Sequence, residues 1–256
     1  MRYIRELITL AKSAHPRDSF FANFEQTMRA FPDARAQYLA YERALSALDV
    51  ESWAVLCEKA VAHFTDHRKG QRKQGFFNQL NDAFAYKHLV RRGYGKVRVL
   101  REVGKTQPDI EYVDGRSRRY CEVKTIGISD DLIARRDEVR AHSSRIYYDL
   151  SPQFLNKLRS TVEAADQQVK ARGASGLIYL VVHFDDFTLE HYKTYRKQIV
   201  ACLEAQPVAD VYVQIGLLGR KRIAKGSARA GRPLTHHSSG PAQKAAQACE
   251  FKRWAT

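Results

Sequence analysis

Between Gln107 and Ile126, in QPDIEYVDGRSRRYCEVKTI, two runs of strand-like alternation flank Asp114-Gly115. Both of those residues tolerate the positive φ of a tight hairpin, so residues 109–113 and 117–125 are expected to pair antiparallel. Side chains alternate faces along a strand, which puts Glu122 and Lys124 on one side and Cys121 and Val123 on the other. Asp109 and Glu111 share a face by the same rule. With a register that joins these faces, two or three carboxylates and one ammonium converge at one end of a sheet. That is the outline of a hydrolytic metal site, because Mg²⁺ is satisfied by one or two carboxylates, waters and substrate phosphate oxygens. A metal so held acidifies a bound water and neutralises charge building on a phosphate. Lys124 would position or deprotonate that water, or stabilise the developing oxyanion. The plain alternative is a surface hairpin carrying a Glu/Lys pair worth at most ~1 kcal/mol.

Pro108-Asp109 opening one strand, a turn, and Glu122-Val123-Lys124 on the next, with Asp109 and Glu122 thirteen positions apart, resembles the core of the PD-(D/E)XK nuclease superfamily. The resemblance spans roughly residues 74–218 and is complete at Pro108, Asp109, Glu122 and Lys124. It implies a restriction-endonuclease-like fold and Mg²⁺-dependent hydrolysis of nucleic acid, with DNA the substrate by family habit and Mn²⁺ a substitute ion. By the same resemblance Asp109, Glu122 and the Val123 carbonyl hold metal, Asp82 or Glu111 completes the shell, and Lys124 is catalytic.

Asp82 enters through residues 75–92, GFFNQLNDAFAYKHLVRR, a helix with Phe77, Leu80, Phe84 and Leu89 inward and Gly93 at its C-terminal cap. Asp82, Ala85, Leu89 and Gly93-Tyr94 resemble the superfamily's first core helix, where Glu is usual and the shorter Asp reaches less far. The competing reading is an Asp on a solvated helix face. A strand over residues 96–100 then leads to the hairpin. Residues 155–172 form the next helix, with Leu155, Leu158, Val162, Ala165 and Val169 on one stripe. Ala165-x-x-Gln168-Val169 resembles the helix that follows the Glu-x-Lys strand in many relatives, which makes Gln168 a further catalytic candidate.

The remaining elements must position these groups. Gly176 leads into LIYLVVHF, an apolar run of the kind found in strands buried on both faces. A helix over 189–205 and a strand from Asp210 follow, so the segment reads as strand, helix, strand with parallel strands. His183, Asp185 and Asp186 end the apolar run and read either as ligands or as caps of the next helix. Residues 127–150 are charged and aperiodic, either a loop contacting phosphates or an exposed helix.

Residues 1–73 read as a helical region. Ile4, Leu7, Ile8 and Ala11 form one stripe, Phe20, Phe21, Phe24 and Met28 a second, and Tyr38, Leu39, Leu45 and Leu48 a third. Asp49 caps a fourth helix carrying Trp53, Leu56, Ala60 and Phe64. No chemical motif is visible in this region, and its stripes read as core or as a surface for a protein partner. The basic run 67–73 reads as a hinge or a phosphate contact. Beyond Gly219 the pattern dissolves into a flexible basic tail, residues 219–256.

The chain has 256 residues and a net charge of +15, with nine basic residues and one acidic in 219–256. The body, residues 1–218, therefore keeps +7, which suits a polyanionic partner. No apolar run is long enough to cross a membrane and no signal-peptide pattern opens the chain, so a soluble cytoplasmic protein is expected. Cys57, Cys121, Cys202 and Cys249 form no CxxC pair, which argues against a zinc ribbon or a disulfide framework. The expected fold class is α/β, a restriction-endonuclease-like mixed sheet flanked by helices, with a helical N-terminal region (1–73), a nuclease-like core (74–218) and the tail (219–256). Two other functions fit the same residues: a nuclease-fold protein that binds nucleic acid without cutting it, and a helical adaptor that recruits a protein through its N-terminal helices. The oligomeric state is not legible.

Overall fold

The structure, a computed structural model, describes residues 1–67, 72–102, 107–127, 148–173, 175–184, 191–208, 210–219 and 221–226. The chain opens with α1 (Arg2–Ala14), α2 (Phe24–Ala30), α3 (Pro32–Leu45), α4 (Val50–Ala62) and α5 (Gln74–Arg91). Then come β1 (Gly95–Val99), β2 (Ile110–Asp114), β3 (Ser117–Ile126), α6 (Pro152–Lys170), β4 (Gly176–Val182), α7 (Tyr192–Glu204), β5 (Asp210–Ile215) and β6 (Lys221–Lys225).

Local chemistry sets the helix ends. Pro32, at the first position of α3, cannot continue α2 and starts the next helix instead. Asp49 accepts a hydrogen bond from Ser52 N–H at 2.7 Å and so caps α4. At the far end of α5, Gly93 takes a φ of +79°, while Gly93 N–H donates to the Val90 carbonyl and Tyr94 N–H to the Leu89 carbonyl. This paired closure needs the left-handed backbone that glycine adopts without strain.

The six strands form one mixed sheet in chain order. β1, β2 and β3 are antiparallel, β3, β4 and β5 parallel, and β6 returns antiparallel to β5. The parallel crossovers through α6 and α7 cover one face, packing Leu158, Val162, Tyr195 and Ile199 on Ile178, Leu180 and Val213. Helices α1 to α5 share a core with the other face, through residues such as Leu56, Leu80, Ile110, Cys121 and Tyr179. Strand β4 is buried along its whole length for that reason. Leu158 and Val162 are fully buried, and each contributes ~1.5–3 kcal/mol, more than propensity differences along α6, so packing rather than propensity holds that helix. The architecture is α/β, and among the described residues no helix is long and apolar enough to cross a membrane.

Four details differ from the sequence expectation. Asp114 pairs with Ser117, so Gly115-Arg116 form the hairpin loop and only Gly115 takes a positive φ. In α5, Phe76 rather than Phe77 is fully inside. Within the segment expected to be flexible tail, Lys221–Lys225 is the edge strand β6; its one fully buried residue, Ile223, gives too little alternation to betray it, and flanking cations suit an exposed edge. In the basic run 67–73, Lys73 turns inward, pairing with Asp18 and lying 3.8 Å from the centre of the Phe64 ring. Residues 68–71, 128–147, 185–190 and 227–256 lie outside the described residues, and with them most of the charged stretch after the hairpin, Asp185 and Asp186, and the rest of the tail.

Candidate functional site

Pairing between β2 and β3 runs from the Asp114/Ser117 pair to the Ile110/Cys121 pair. Carried one step further, this register sets Asp109 opposite Glu122. At that point a side chain replaces the ladder: Asp109 Oδ2 accepts from Val123 N–H at 2.9 Å, while the Asp109 carbonyl accepts from Leu100 N–H at 2.8 Å. Residues of an antiparallel pair turn N–H and C=O to the same edge, so the Val123 carbonyl opens on the same gap beyond the end of β2. Asn81 of α5 donates to Thr125 Oγ1 at 2.7 Å and accepts from Tyr41 at 3.4 Å, which ties α3 and α5 to the end of β3.

Glu122 and Lys124 do share a face, with Lys124 Nζ 2.5 Å from Glu122 Oε1. Glu122 is 2% exposed, and its second oxygen, Oε2, is buried without a hydrogen-bond partner among the described residues. Asp82 is not on a solvated face, because α5 is enclosed on nearly every side around it and the residue is 3% exposed.

A residue with no motif joins them. Lys59 of α4, 5% exposed, places its ammonium 2.7 Å from Asp82 Oδ2 and 3.0 Å from Asp109 Oδ1. The helical region, in which the sequence shows no chemistry, thus supplies the cation between two of the candidate acids. The signal that would have found it is positional: Ser52, Leu56 and Lys59 follow the i, i+4, i+7 spacing of the buried stripe, where an unpaired lysine is not tolerated.

The electrostatics follow from burial. Burial and the neighbouring Asp109 charge push the Glu122 carboxyl up to about 8 despite Lys124. Burial likewise raises Asp82, to about 7, against the pull of Lys59 and with a push from Asp109. For Lys59, burial alone would lower the pKa, but Asp82 and Asp109 more than offset it and the ammonium is held charged. Among the described residues three carboxylates face two ammoniums across this region, an excess of one negative charge that a proton on Glu122 or Asp82 relieves.

The other candidates fall elsewhere. Glu111 lies 3.6 Å from Arg118, toward the hairpin loop. Gln168 is half-buried on α6, and its neighbour Val169 packs on Gly176, which pairs with Tyr120 two residues before Glu122. His183 follows β4, its N–H donating to the Ile126 carbonyl at 2.9 Å. Among the described residues no three His, Cys, Asp or Glu side chains are grouped to share one ion, and the Lys59 ammonium lies between Asp82 and Asp109.

These elements define an α/β protein whose six-stranded mixed sheet lies between helical layers, with a buried charge cluster where β2 and β3 part. Compared with protein families, curated proteins and solved structures, the chain finds no match.

Proposed function

We propose that the chain is a divalent-metal-dependent nuclease of the PD-(D/E)XK type, built on a restriction-endonuclease-like core and hydrolysing phosphodiester bonds of DNA. The observation that carries the reading is Lys124 Nζ 2.5 Å from the buried Glu122 carboxyl, on the strand whose Val123 N–H donates to Asp109 just past the end of the β2/β3 pairing. The chain order α5, three antiparallel strands, α6 and parallel β4 supports it, as does the basic balance of residues 1–218.

The donor set suits a hard divalent cation. Among the described residues Glu122 Oε2 is buried and unbonded and the ionised cluster is one positive charge short, and two carboxylates with a carbonyl suffice for an ion that keeps several waters. Asp109, Glu122 and the Val123 carbonyl would hold Mg²⁺, or Mn²⁺ in its place, which would supply an acidified water and charge neutralisation at the phosphate. Asp82, held through Lys59, fixes the position of Asp109 rather than adding a third carboxylate. Glu122 fixes the Lys124 ammonium, which orients the attacking water and donates a hydrogen bond to the phosphate oxygen as charge develops.

Purified protein incubated with plasmid, linear duplex, single-stranded DNA and RNA tests the reading. Cleavage of DNA is expected with Mg²⁺ or Mn²⁺ and not with EDTA. It should vanish in Asp109→Ala, Glu122→Gln and Lys124→Ala; full activity in those variants would overturn the assignment.

One observation favours a second reading, a nuclease-fold protein that binds nucleic acid without cutting it. Both Asp109 oxygens are already engaged, Oδ1 by Lys59 and Oδ2 by Val123 N–H. That reading expects EDTA-insensitive DNA binding and no product with either metal.

A further inference from the structure

A second charged feature lies on the opposite side of the sheet from Glu122 and Lys124. Between α3, the C-terminal half of α5 and the Tyr179/Tyr212 face of β4 and β5 is a cleft of about 560 Å³. Arg43, Lys87, Arg91, Arg92 and Arg222 line it, and among the described residues no Asp or Glu does. Lys87 Nζ donates to the Arg43 carbonyl at 2.8 Å and Arg222 Nε to the Gly219 carbonyl at 2.9 Å. Among the described residues none supplies a carboxylate to Arg43, Lys87, Arg91 or Arg222. Gathered like charges oppose the compact state, and an anion in the cleft removes that opposition. The field is felt by the groups within it: burial, then Arg92, Arg222 and Arg91, push the His88 imidazole down to about 4.

The walls are of a different character. The His88 ring lies 4.0 Å from Tyr212, which stacks on Tyr179 at 5.2 Å, and the exposed Leu218 stands beside them. The buried Gln214 amide accepts from Tyr179 Oη at 2.7 Å and donates to the Gly216 carbonyl at 3.0 Å, leaving one N–H for another acceptor. A cationic rim over an aromatic and aliphatic wall matches a ligand that joins several phosphates to a planar base.

We propose that this cleft binds a free nucleoside di- or triphosphate, its phosphates on Arg43, Lys87, Arg91 and Arg222 and its base against the His88, Tyr212 and Leu218 wall. The proposal does not rest on the nuclease reading, since none of the cleft residues belongs to that site.

Titration calorimetry of the full chain with ATP, GTP, tripolyphosphate and a 5′-phosphorylated oligonucleotide tests it. Saturable one-to-one binding of ATP or GTP is expected, with tripolyphosphate about tenfold weaker for want of a base. Each charge-assisted contact is worth about tenfold, so Arg91→Glu with Arg222→Glu should weaken ATP about 100-fold and the milder Arg43→Gln about tenfold. These three side chains are exposed, so the variants should fold. Lys124→Ala, across the sheet, should leave ATP binding unchanged whether or not it abolishes cleavage. Absence of saturable nucleotide binding would overturn the proposal. So would tripolyphosphate binding as tightly as ATP, or tighter capture of the oligonucleotide than of the free nucleotide, which would assign the cleft to the end of a strand.

Discussion

Lys59 Nζ stands 3.0 Å from Asp109 Oδ1, although 50 residues separate them in sequence. The contact joins the N-terminal helices to the strand that carries the candidate chemistry, and a second bond from the same ammonium to Asp82 brings in α5. Charge and core packing therefore run across the boundary that the sequence places near residue 73.

Removing Lys59 leaves two carboxylates facing each other in a buried region. Deleting one partner of such a pair costs roughly 3–5 kcal/mol, whereas replacing charged partners together by apolar groups is often neutral. Lys59→Met should therefore lower unfolding free energy in urea by about that amount, and Lys59→Met with Asp82→Leu should recover at least half of it. A silent Lys59→Met would mean that the ammonium is solvated and the contact absent.

Glu122 and Asp82 make stability depend on pH in a defined direction. Both have folded pKa values above their ordinary carboxylate values, about 8 and about 7, so between pH 4 and those values the native state binds more protons than the unfolded chain. Their contribution is fully present below about pH 4, is lost progressively as pH rises from there, and is gone above about 7 to 8. In EDTA, thermal melts should show stability falling by a few kcal/mol across that window. Glu122→Gln should flatten the slope, since the amide cannot lose a proton. A rising slope would place these carboxyls in solvent.

Metal affinity should move the opposite way. A carboxylate must shed its proton to ligate, so Mn²⁺ or Mg²⁺ binding, read by calorimetry, should tighten by up to about tenfold per pH unit until Glu122 is ionised near pH 8. Asp109→Ala and Glu122→Gln should remove the binding heat. An affinity independent of pH over this range would put the ion elsewhere.

Much of the scaffold was legible because its signals are periodic. The stripe Ile4, Leu7, Ile8 and Ala11 is buried as spaced, Asp49 caps the helix it precedes, and the apolar run after Gly176 is covered on both faces. The shared face of Glu122 and Lys124 follows from strand alternation alone. Lys59 was not legible, since a lysine within a helix is ordinarily solvated, and only a partner distant in the chain makes its burial tolerable. Strand β6 was hidden by a single buried side chain among cations. The excursion of Lys73 inward depends on Phe64 and Asp18, which no local pattern links to it.

Two glycines separate backbone strain from steric exclusion beside the site. Gly173 has a φ of +66° with open space where a Cβ would go, so Gly173→Ala should cost about 1 kcal/mol from the left-handed backbone alone. At Gly176 a Cβ would sit 2.0 Å from the Tyr120 carbonyl oxygen and 2.8 Å from Val169 Cγ1. Val169 can shift, but the carbonyl belongs to β3 at the point where it pairs with β4, two residues before Glu122. Gly176→Ala must therefore push the strands apart or slide β4, at a cost of at least ~2–3 kcal/mol. Because β4 is the parallel neighbour of Glu122 and Lys124, the same variant should also impair whatever the site does, while Gly173→Ala should not. Equal urea midpoints for the two variants would show that β3 and β4 do not approach as closely at Tyr120 as described.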